Sequence, residues 1–153
     1  MDWVFRAMER GDLPEVCAIE VASFPTPWSA ALFEEELKRP DHCFWTVIAD
    51  PQAAPGAQLL AYGGFWKAVD EAHFTNLAVR GDQRRVGLGK ALLQAVLKKA
   101  REQGCVRATL EVRPSNTAAV ALYEQAGFSG VALRPRYYSD NDEDALLMWL
   151  PQL

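Results

Sequence analysis

The sequence has few of the residues that build disulfides or metal centres. Its 153 residues include three cysteines, without a C-x-x-C spacing, and two isolated histidines, His42 and His73. An odd number of cysteines favours reduced, buried thiols in a cytoplasmic protein over a disulfide framework. Two separated histidines assemble no metal site, so we interpret each as structural and expect no metal.

Long apolar runs and a strongly basic composition are also missing. No apolar stretch approaches the ~20 residues of a membrane span, and the charged N-terminal segment lacks the apolar region of a secretory signal. The formal net charge of −4 argues against nonspecific binding to nucleic acid. Half of the residues are hydrophobic and 24% are charged, which is typical of a globular domain. We therefore expect one cytoplasmic domain over residues 1–153, without a membrane or nucleic-acid partner. Nothing in the sequence demands a dimer, so we expect a monomer.

One stretch combines glycines and basic residues as a phosphate site does. It runs over residues 84–90, with Gly87 and Gly89 one residue apart at the predicted start of a helix. Glycines let a ligand approach the backbone, and the first N–H groups of a helix attract anions. The P-loop pattern is absent, and Leu92 stands where a dinucleotide pattern requires its third glycine. The same glycines can also belong to a turn that only eases packing.

Hydrophobic periodicity predicts the element order β-α-α-β-β-β-α-β-α-β-β, a mixed α/β (α+β) fold. Strands over 43–49, 59–66 and 72–79 are separated by short turns, which indicates an antiparallel meander. A helix over 88–103 then links the third of these strands to a strand over 106–112. This spacing predicts a parallel crossover through the glycine loop.

Three further residues accompany the glycine loop at this crossover. Glu111 lies late in a predicted strand, Asn116 lies at the start of the fourth predicted helix, and Tyr123 lies near its end. A ligand across the ends of these elements would meet all three. From spacing alone, Glu111 can instead be a solvated residue or an ion-pair partner of Arg107 or Arg113. Tyr123 can likewise be a core aromatic.

Taken together, these segments resemble the GNAT superfamily of N-acetyltransferases. The glycine loop reads R-R-V-G-L-G-K-A-L-L after N-L-A-V, and the next strand and helix read L-E-V-R-P-S-N-T-A-A-V-A-L-Y-E-Q-A-G-F. The tail R-P-R-Y-Y-S-D-N-D-E-D-A-L-L-M and the early F-P-T-P-W-S resemble more narrowly the RimI branch. Members of that branch acetylate the N-terminal amine of a ribosomal protein that begins with alanine. The resemblance covers nearly the whole chain and implies the GNAT fold, acetyl-CoA as cosubstrate and the N-terminus of a small-subunit ribosomal protein as acceptor.

The resemblance also implies roles for single residues. Glu111 matches the general base of the family and Tyr123 its general acid. Acetyl-CoA would be held by a strand end, the glycine loop and the start of the fourth helix: Leu77, Ala78, Val79, Arg84, Arg85, Val86, Gly87, Leu88, Gly89, Lys90 and Asn116. Two loops would shape the peptide groove through Phe24, Trp28, Arg136, Tyr137 and Tyr138. The first of these loops can also be pinned to the core by its aromatic residues. Acetylation of a small amine, and acetyl-CoA binding without catalysis, stay open as other functions.

Overall fold

A computed structural model describes residues 3–83 and 87–153, which form one mixed sheet of seven strands flanked by helices. The elements are β1 (Val4–Ala7), α1 (Leu13–Ser23), α2 (Ala30–Leu37), β2 (Cys43–Ala49), β3 (Leu59–Ala68), β4 (Glu71–Val79), α3 (Leu88–Glu102), β5 (Arg107–Val112), α4 (Thr117–Gln125), β6 (Ser129–Arg134) and β7 (Ala145–Leu150). The strands lie in the order β1-β2-β3-β4-β5-β7-β6. Only β4 and β5 pair in parallel among them, so the predicted element order and the predicted crossover are both confirmed.

Helices cover both faces of the sheet. On one face, α1 and α2 bury a core that includes Val16, Phe33 and Tyr62. On the other face, α3 turns a wide apolar stripe to the sheet, because its apolar residues recur every three to four positions. The residues of this stripe are Leu88, Leu92, Leu93, Val96, Leu97 and Ala100, all buried. Within residues 3–83 and 87–153, no helix is long and apolar enough to cross a membrane.

The parallel strands β4 and β5 separate soon after they meet. Their pairing ends at His73↔Thr109, although β4 continues to Val79. On its other side, β4 places Thr75 and Asn76 opposite the single residue Gly64 of β3, which is a bulge. A bulge bends its strand and increases the local twist. The bend and the early end of the pairing together leave a gap between β4 and β5, and this gap positions the candidate site.

Gly64 makes a close approach that only a residue without Cβ permits. A Cβ there would lie 2.4 Å from Cδ2 of Trp45 and 2.9 Å from the carbonyl oxygen of Phe44. Trp45 cannot move aside easily, because its ring is 4% exposed and packs edge-on against Phe33 at 5.3 Å. We therefore expect Gly64→Ala to lower the free energy of unfolding by about 1–3 kcal/mol, as overpacked cores do. Urea denaturation measures this loss directly.

Gly11→Ala is the matched control for this prediction. An added Cβ at Gly11 meets nothing within 4 Å, and Gly11 is not among the glycines of positive φ. Its substitution is expected to stay within about 0.5 kcal/mol of the wild type. Equal urea midpoints for the two variants would mean that Trp45 yields to the added methyl group.

Candidate active site

The gap between β4 and β5 holds a carboxylate paired with a histidine. His73 Nε2 lies 2.6 Å from Glu111 Oε2, and Arg134 Nη2 lies 3.7 Å from Glu111 Oε1. The hydrogen bond from His73 lowers the pKa of Glu111 below its ordinary value; burial opposes this, and Arg134 adds to it. Glu111 is therefore ionised at neutral pH. An ionised carboxylate only accepts hydrogen bonds, so the proton of this contact is on Nε2 of His73.

This pairing corrects two interpretations made from the sequence. Glu111 is neither solvated nor paired with the expected arginines: its side chain is 9% exposed, while Arg107 binds Asp70 and Arg113 binds other acids. His73 is not isolated. Parallel register places His73 beside Thr109, and Glu111 lies two residues further along the same face. The alternation of side chains across the predicted crossover was the available signal for this pair.

Tyr123 lies in the core on the opposite face of the sheet from Glu111. It is 9% exposed and belongs to the core beneath α3, with its ring edge-on to Phe128 at 5.8 Å. Burial raises the pKa of Tyr123 to about 12, with a contribution from Tyr138. The phenol therefore keeps its proton throughout the neutral range. By its packing Tyr123 is a core aromatic. This packing is compatible with the suggested role as general acid, because the phenol stays protonated.

The segment after β6 brings two tyrosines to Glu111. Burial raises the pKa of both Tyr137 and Tyr138, and the negative charge of Glu111 adds to the rise in each. Their rings meet edge-on at 4.9 Å. Arg136, with φ +50° and an exposed side chain, donates its backbone N–H to Asp144 Oδ1 at 3.0 Å. Three of the predicted groove residues thus lie in one short segment, two of them within electrostatic reach of Glu111.

Arg113 fixes this segment to the end of β5. Its guanidinium carbon lies 4.0 Å from the ring centroid of Tyr138, a cation–π contact. Its Nη2 lies 2.8 Å from Asp140 Oδ1, and its Nη1 lies 3.3 Å from Glu143 Oε1. Glu143 also accepts the backbone N–H of Ser115 at 3.0 Å. The loop between β6 and β7 is therefore ordered against the same strand that carries Glu111.

The loop over residues 24–29, called the acceptor loop below, is pinned to the core. Phe24 and Trp28 are half-buried and pack against the core beneath α1 and α2. The Trp28 ring lies 5.3 Å from Phe33 and 5.7 Å from Trp45. Ser29 Oγ accepts the backbone N–H of Leu32, which caps α2 and ends the loop. The alternative in which aromatic residues pin this loop is therefore confirmed, and it is compatible with a groove role.

A continuous set of contacts joins α2 to the carboxylate pair. Glu36 on α2 accepts the indole N–H groups of both Trp45 and Trp66. The Trp66 ring meets the His73 ring edge-on at 5.7 Å, and His73 binds Glu111. Trp45 in turn packs against Trp28 of the acceptor loop. The acceptor loop is therefore linked to the Glu111–His73 pair through a chain of packed side chains.

The start of α3 is arranged to receive an anion. Gly87 is the N-cap residue with φ +84°, a left-handed conformation that favours glycine, and no side chain of residues 3–83 or 87–153 caps the helix. The first turn contains no acidic residue, and it carries the exposed Lys90. The first N–H groups of a helix have no partner inside the helix, so this end can receive an anion. Crowding does not require a glycine at position 89, because a Cβ there would make only an ordinary contact with Leu122 at 3.6 Å. Arg84, Arg85 and Val86 lie outside the described residues.

Two other elements are predicted to hold acetyl-CoA, namely the end of β4 and the start of α4. Leu77 and Ala78 direct their side chains into the cores on opposite faces of the sheet, so they offer only backbone groups at the strand edge. Val79 is half-buried at the end of β4. Asn116 Oδ1 accepts the backbone N–H of Ala119 at 3.2 Å and so caps α4. In the described part of the chain, no three His, Cys, Asp or Glu side chains are grouped to hold a metal ion.

Sequence comparison identifies the class of protein that has this fold and site. The sequence profile of the acetyltransferase (GNAT) family matches residues 13–128. The chain therefore belongs to the acetyltransferase (GNAT) family and is an acyltransferase. The predicted GNAT fold is confirmed by the same match and by the solved structures.

Two relatives and one solved structure are similar over almost the whole chain. The ribosomal protein bS18-alanine N-acetyltransferase of Escherichia coli strain K12 is 35% identical over 147 residues, 95% of this chain and 95% of its own. The N-alpha-acetyltransferase of Sulfurisphaera tokodaii is 32% identical over 147 residues, 92% of this chain and 87% of its own. The crystal structure of the ribosomal-protein-S18-alanine N-acetyltransferase from Escherichia coli has a TM-score of 0.86 at 33% identity, covering 99% of this chain and 94% of that one.

Proposed function

We propose that this enzyme transfers the acetyl group of acetyl-CoA to the α-amine of a protein that begins with alanine, with ribosomal protein bS18 as the acceptor. The observation that carries the proposal is the ionised Glu111, held beside His73 in the gap between β4 and β5. An α-ammonium group needs such an acceptor for its proton before it can attack a thioester. The similarity to the bS18-alanine N-acetyltransferase of Escherichia coli supports the choice of acceptor.

The gap and the start of α3 fit the two ends of acetyl-CoA. The edge of β4 at Leu77, Ala78 and Val79 would bind the pantetheine arm in the manner of an added strand. The uncapped N–H groups at Leu88, Gly89 and Lys90 would bind the pyrophosphate, together with the neighbouring backbone from Arg84 to Gly87. Asn116 Oδ1 already caps α4, which leaves its amide nitrogen for the coenzyme arm. Acetyl-CoA supplies the activated thioester carbonyl at this position.

Glu111 acts on the acceptor side of the thioester. The α-amino group has a pKa of ~7.7–8.0, so it is mostly protonated at pH 7. The carboxylate attracts the ammonium group and takes a proton from the nitrogen, directly or through one water molecule. Its lowered pKa makes it a weak base toward a free ammonium ion. The neutral amine that results attacks with its free electron pair, and the nitrogen releases its second proton to water once the new N–C bond has made it acidic.

Tyr123 acts on the leaving side. The N–C bond forms while the C–S bond breaks, and the electron pair of the C–S bond goes to the sulfur of CoA. A protonated phenol on the opposite face from Glu111 can donate a hydrogen bond, and finally a proton, to that sulfur. No covalent enzyme intermediate is required, because holding both reactants together supplies a large effective molarity.

The acceptor peptide would lie between the two groove loops. Phe24 and Trp28 form one wall, anchored in the core beneath α1 and α2. Arg136, Tyr137 and Tyr138 form the other wall, anchored through Arg113. Both walls are fixed by packing, which suits a site that must orient an extended peptide chain.

Mass spectrometry of the enzyme with acetyl-CoA and a panel of peptides tests this function. The panel varies the first three residues and includes the same peptides with a blocked N-terminus. We expect one added acetyl group on the α-amine, fastest when alanine is first, and no addition to the blocked peptides. Polyamines and free amino acids at equal concentration serve as competing acceptors.

Each of the other outcomes would indicate a different function for this protein. Turnover only with small amines would replace the protein acceptor by a small-molecule one. Tight acetyl-CoA binding without turnover on any amine would indicate a binding module. Addition to the blocked peptides would mean that lysine side chains, and not the α-amine, are the acceptors.

A further inference from the structure

A buried carboxyl group joins the two sides of the proposed active site. Glu20 on α1 is 1% exposed, yet it contacts no basic side chain among the ion pairs of the described residues. Its Oε2 accepts the backbone N–H of Trp28 at 2.9 Å. Asn76 Nδ2 lies 3.1 Å from Oε1 and 3.0 Å from Oε2, and the hydroxyl of Tyr62 donates to Oε1. All three partners are hydrogen-bond donors, and the two carboxyl oxygens accept from them.

The three partners belong to segments that are far apart in the sequence. Trp28 lies in the acceptor loop, and Asn76 lies in the bulge of β4, one residue before Leu77. Tyr62 lies in β3, inside the core. A buried polar group is costly unless it is hydrogen-bonded, and a fully satisfied buried network specifies one geometry. The bonds of Glu20 therefore fix the acceptor loop and the bulge of β4 relative to each other.

We propose that Glu20 is a positioning residue that holds the acceptor loop in register with the strand edge that binds acetyl-CoA. The proposal rests on the proposed function of these two segments. Glu20 itself lies in the core and touches neither reactant. It acts on the peptide through the Trp28 backbone. It acts on bound acetyl-CoA through Asn76, which precedes Leu77 at the edge of β4. Because Glu20 holds the loop in place before the peptide arrives, less ordering is needed on binding, and the affinity for the peptide is higher.

Glu20→Gln tests this role, because glutamine keeps the shape and turns one acceptor into a donor. That donor faces the amide nitrogen of Asn76 in either orientation, and at the Oε2 position it also faces the N–H of Trp28, so at least one bond is lost. We expect KM for the alanine peptide to rise about 10-fold and the Kd of acetyl-CoA to rise about 3-fold, while kcat falls less than about 3-fold. Steady-state kinetics on the folded protein and calorimetry measure these values.

Tyr62→Phe is the matched control. It removes another hydrogen bond to the same carboxyl group, from a residue that belongs to neither reactant segment. We expect it to lower thermal stability and to leave KM for the peptide within twofold of the wild type (about 2-fold being the scatter of such measurements). The proposal is overturned if Glu20→Gln keeps the wild-type KM. It is also overturned if Tyr62→Phe raises KM equally, since the effect would then be a general loosening of the core.

Amide hydrogen exchange separates this inference from the proposed function. Exchange in residues 24–29 is expected to accelerate about 10-fold in Glu20→Gln and to stay unchanged in Tyr62→Phe, with no acceptor present. If the wild type acetylates no peptide, the proposed acceptor is wrong, and the exchange rates still decide whether Glu20 holds the loop. If Glu20→Gln does not fold, Asn76→Ala is used instead. A wild-type Kd for acetyl-CoA in that variant would overturn the link to the donor edge.

Discussion

Replacing Glu111 with glutamine is expected to lower kcat about 100-fold at pH 7 and only about 10-fold at pH 9, the range of loss typical of a missing general base. The variant keeps the size of the side chain and one acceptor oxygen, but it cannot take a proton. At pH 7 the α-amine, with a pKa of ~7.7–8.0, is mostly protonated and depends on the carboxylate. At pH 9 most of it is already free. Measuring kcat on the alanine peptide over a series of pH values gives the ratio of the wild-type kcat to the variant kcat at each pH.

The pKa of Glu111 fixes the direction of this pH dependence. Because the hydrogen bond from His73 lowers that pKa, Glu111 remains ionised from pH 6 to pH 9 and contributes no titration of its own. The wild-type rate should therefore rise only gently with pH, and the rate of Glu111→Gln should rise steeply as the amine deprotonates. Parallel profiles for the two enzymes would exclude Glu111 as the base.

Glu71→Gln provides the matched control for this experiment. Glu71 begins β4, at the far end of the strand from the gap, and its contact with Arg107 is long at 3.9 Å. The same chemical change there removes a carboxylate without touching Glu111 or His73. We expect wild-type kcat at every pH, because a weak surface ion pair contributes little to the fold.

Much of the fold is predictable because local sequence decides it. The bounds of β2 are predicted as the structure has them, because a proline before this apolar run and turn-forming residues after it delimit it. The end of β3 is not: it is predicted at Trp66, and the strand continues to Ala68. Pairing with β4 keeps these last residues in the sheet, although their own preference does not require it.

The candidate site was predictable only in part, because its geometry depends on contacts between distant segments. Glu111 and Tyr123 stood out through their positions beside the glycine loop. His73 reaches Glu111 across 38 residues of sequence, and Glu20 reaches Asn76 across 56. Neither contact follows from local periodicity. The first depends on the register between β4 and β5 and the second on the bulge in β4, and both are defined only in the assembled sheet.

The two candidate catalytic residues, Glu111 and Tyr123, lie on opposite faces of the sheet. Glu111 alternates with buried Leu110 and Val112, so it faces the side of α1 and α2, where the groove loops lie. Tyr123 belongs to the core beneath α3, on the side of the glycine loop. In the proposed reaction, a thioester in the gap would therefore meet the amine from one face and its proton donor from the other. This separation predicts that replacing Glu111 and replacing Tyr123 change the pH dependence of kcat in different ways.

Tyr123→Phe is expected to lower kcat about 10–100-fold by an equal factor at every pH from 6 to 9, the loss of one hydrogen bond to a developing charge. Burial holds the pKa of Tyr123 at about 12, so the phenol stays protonated across this range and cannot give the profile a slope. Phenylalanine keeps the packing against Phe128, so thermal stability and the Kd of acetyl-CoA should stay near wild type. Stopped assays of CoA release at each pH measure the factor, with Tyr62→Phe as the control for loss of a buried hydroxyl. An unchanged kcat in the folded variant would remove Tyr123 from the reaction, and a loss confined to low pH would transfer it to the acceptor side, because only the amine titrates there.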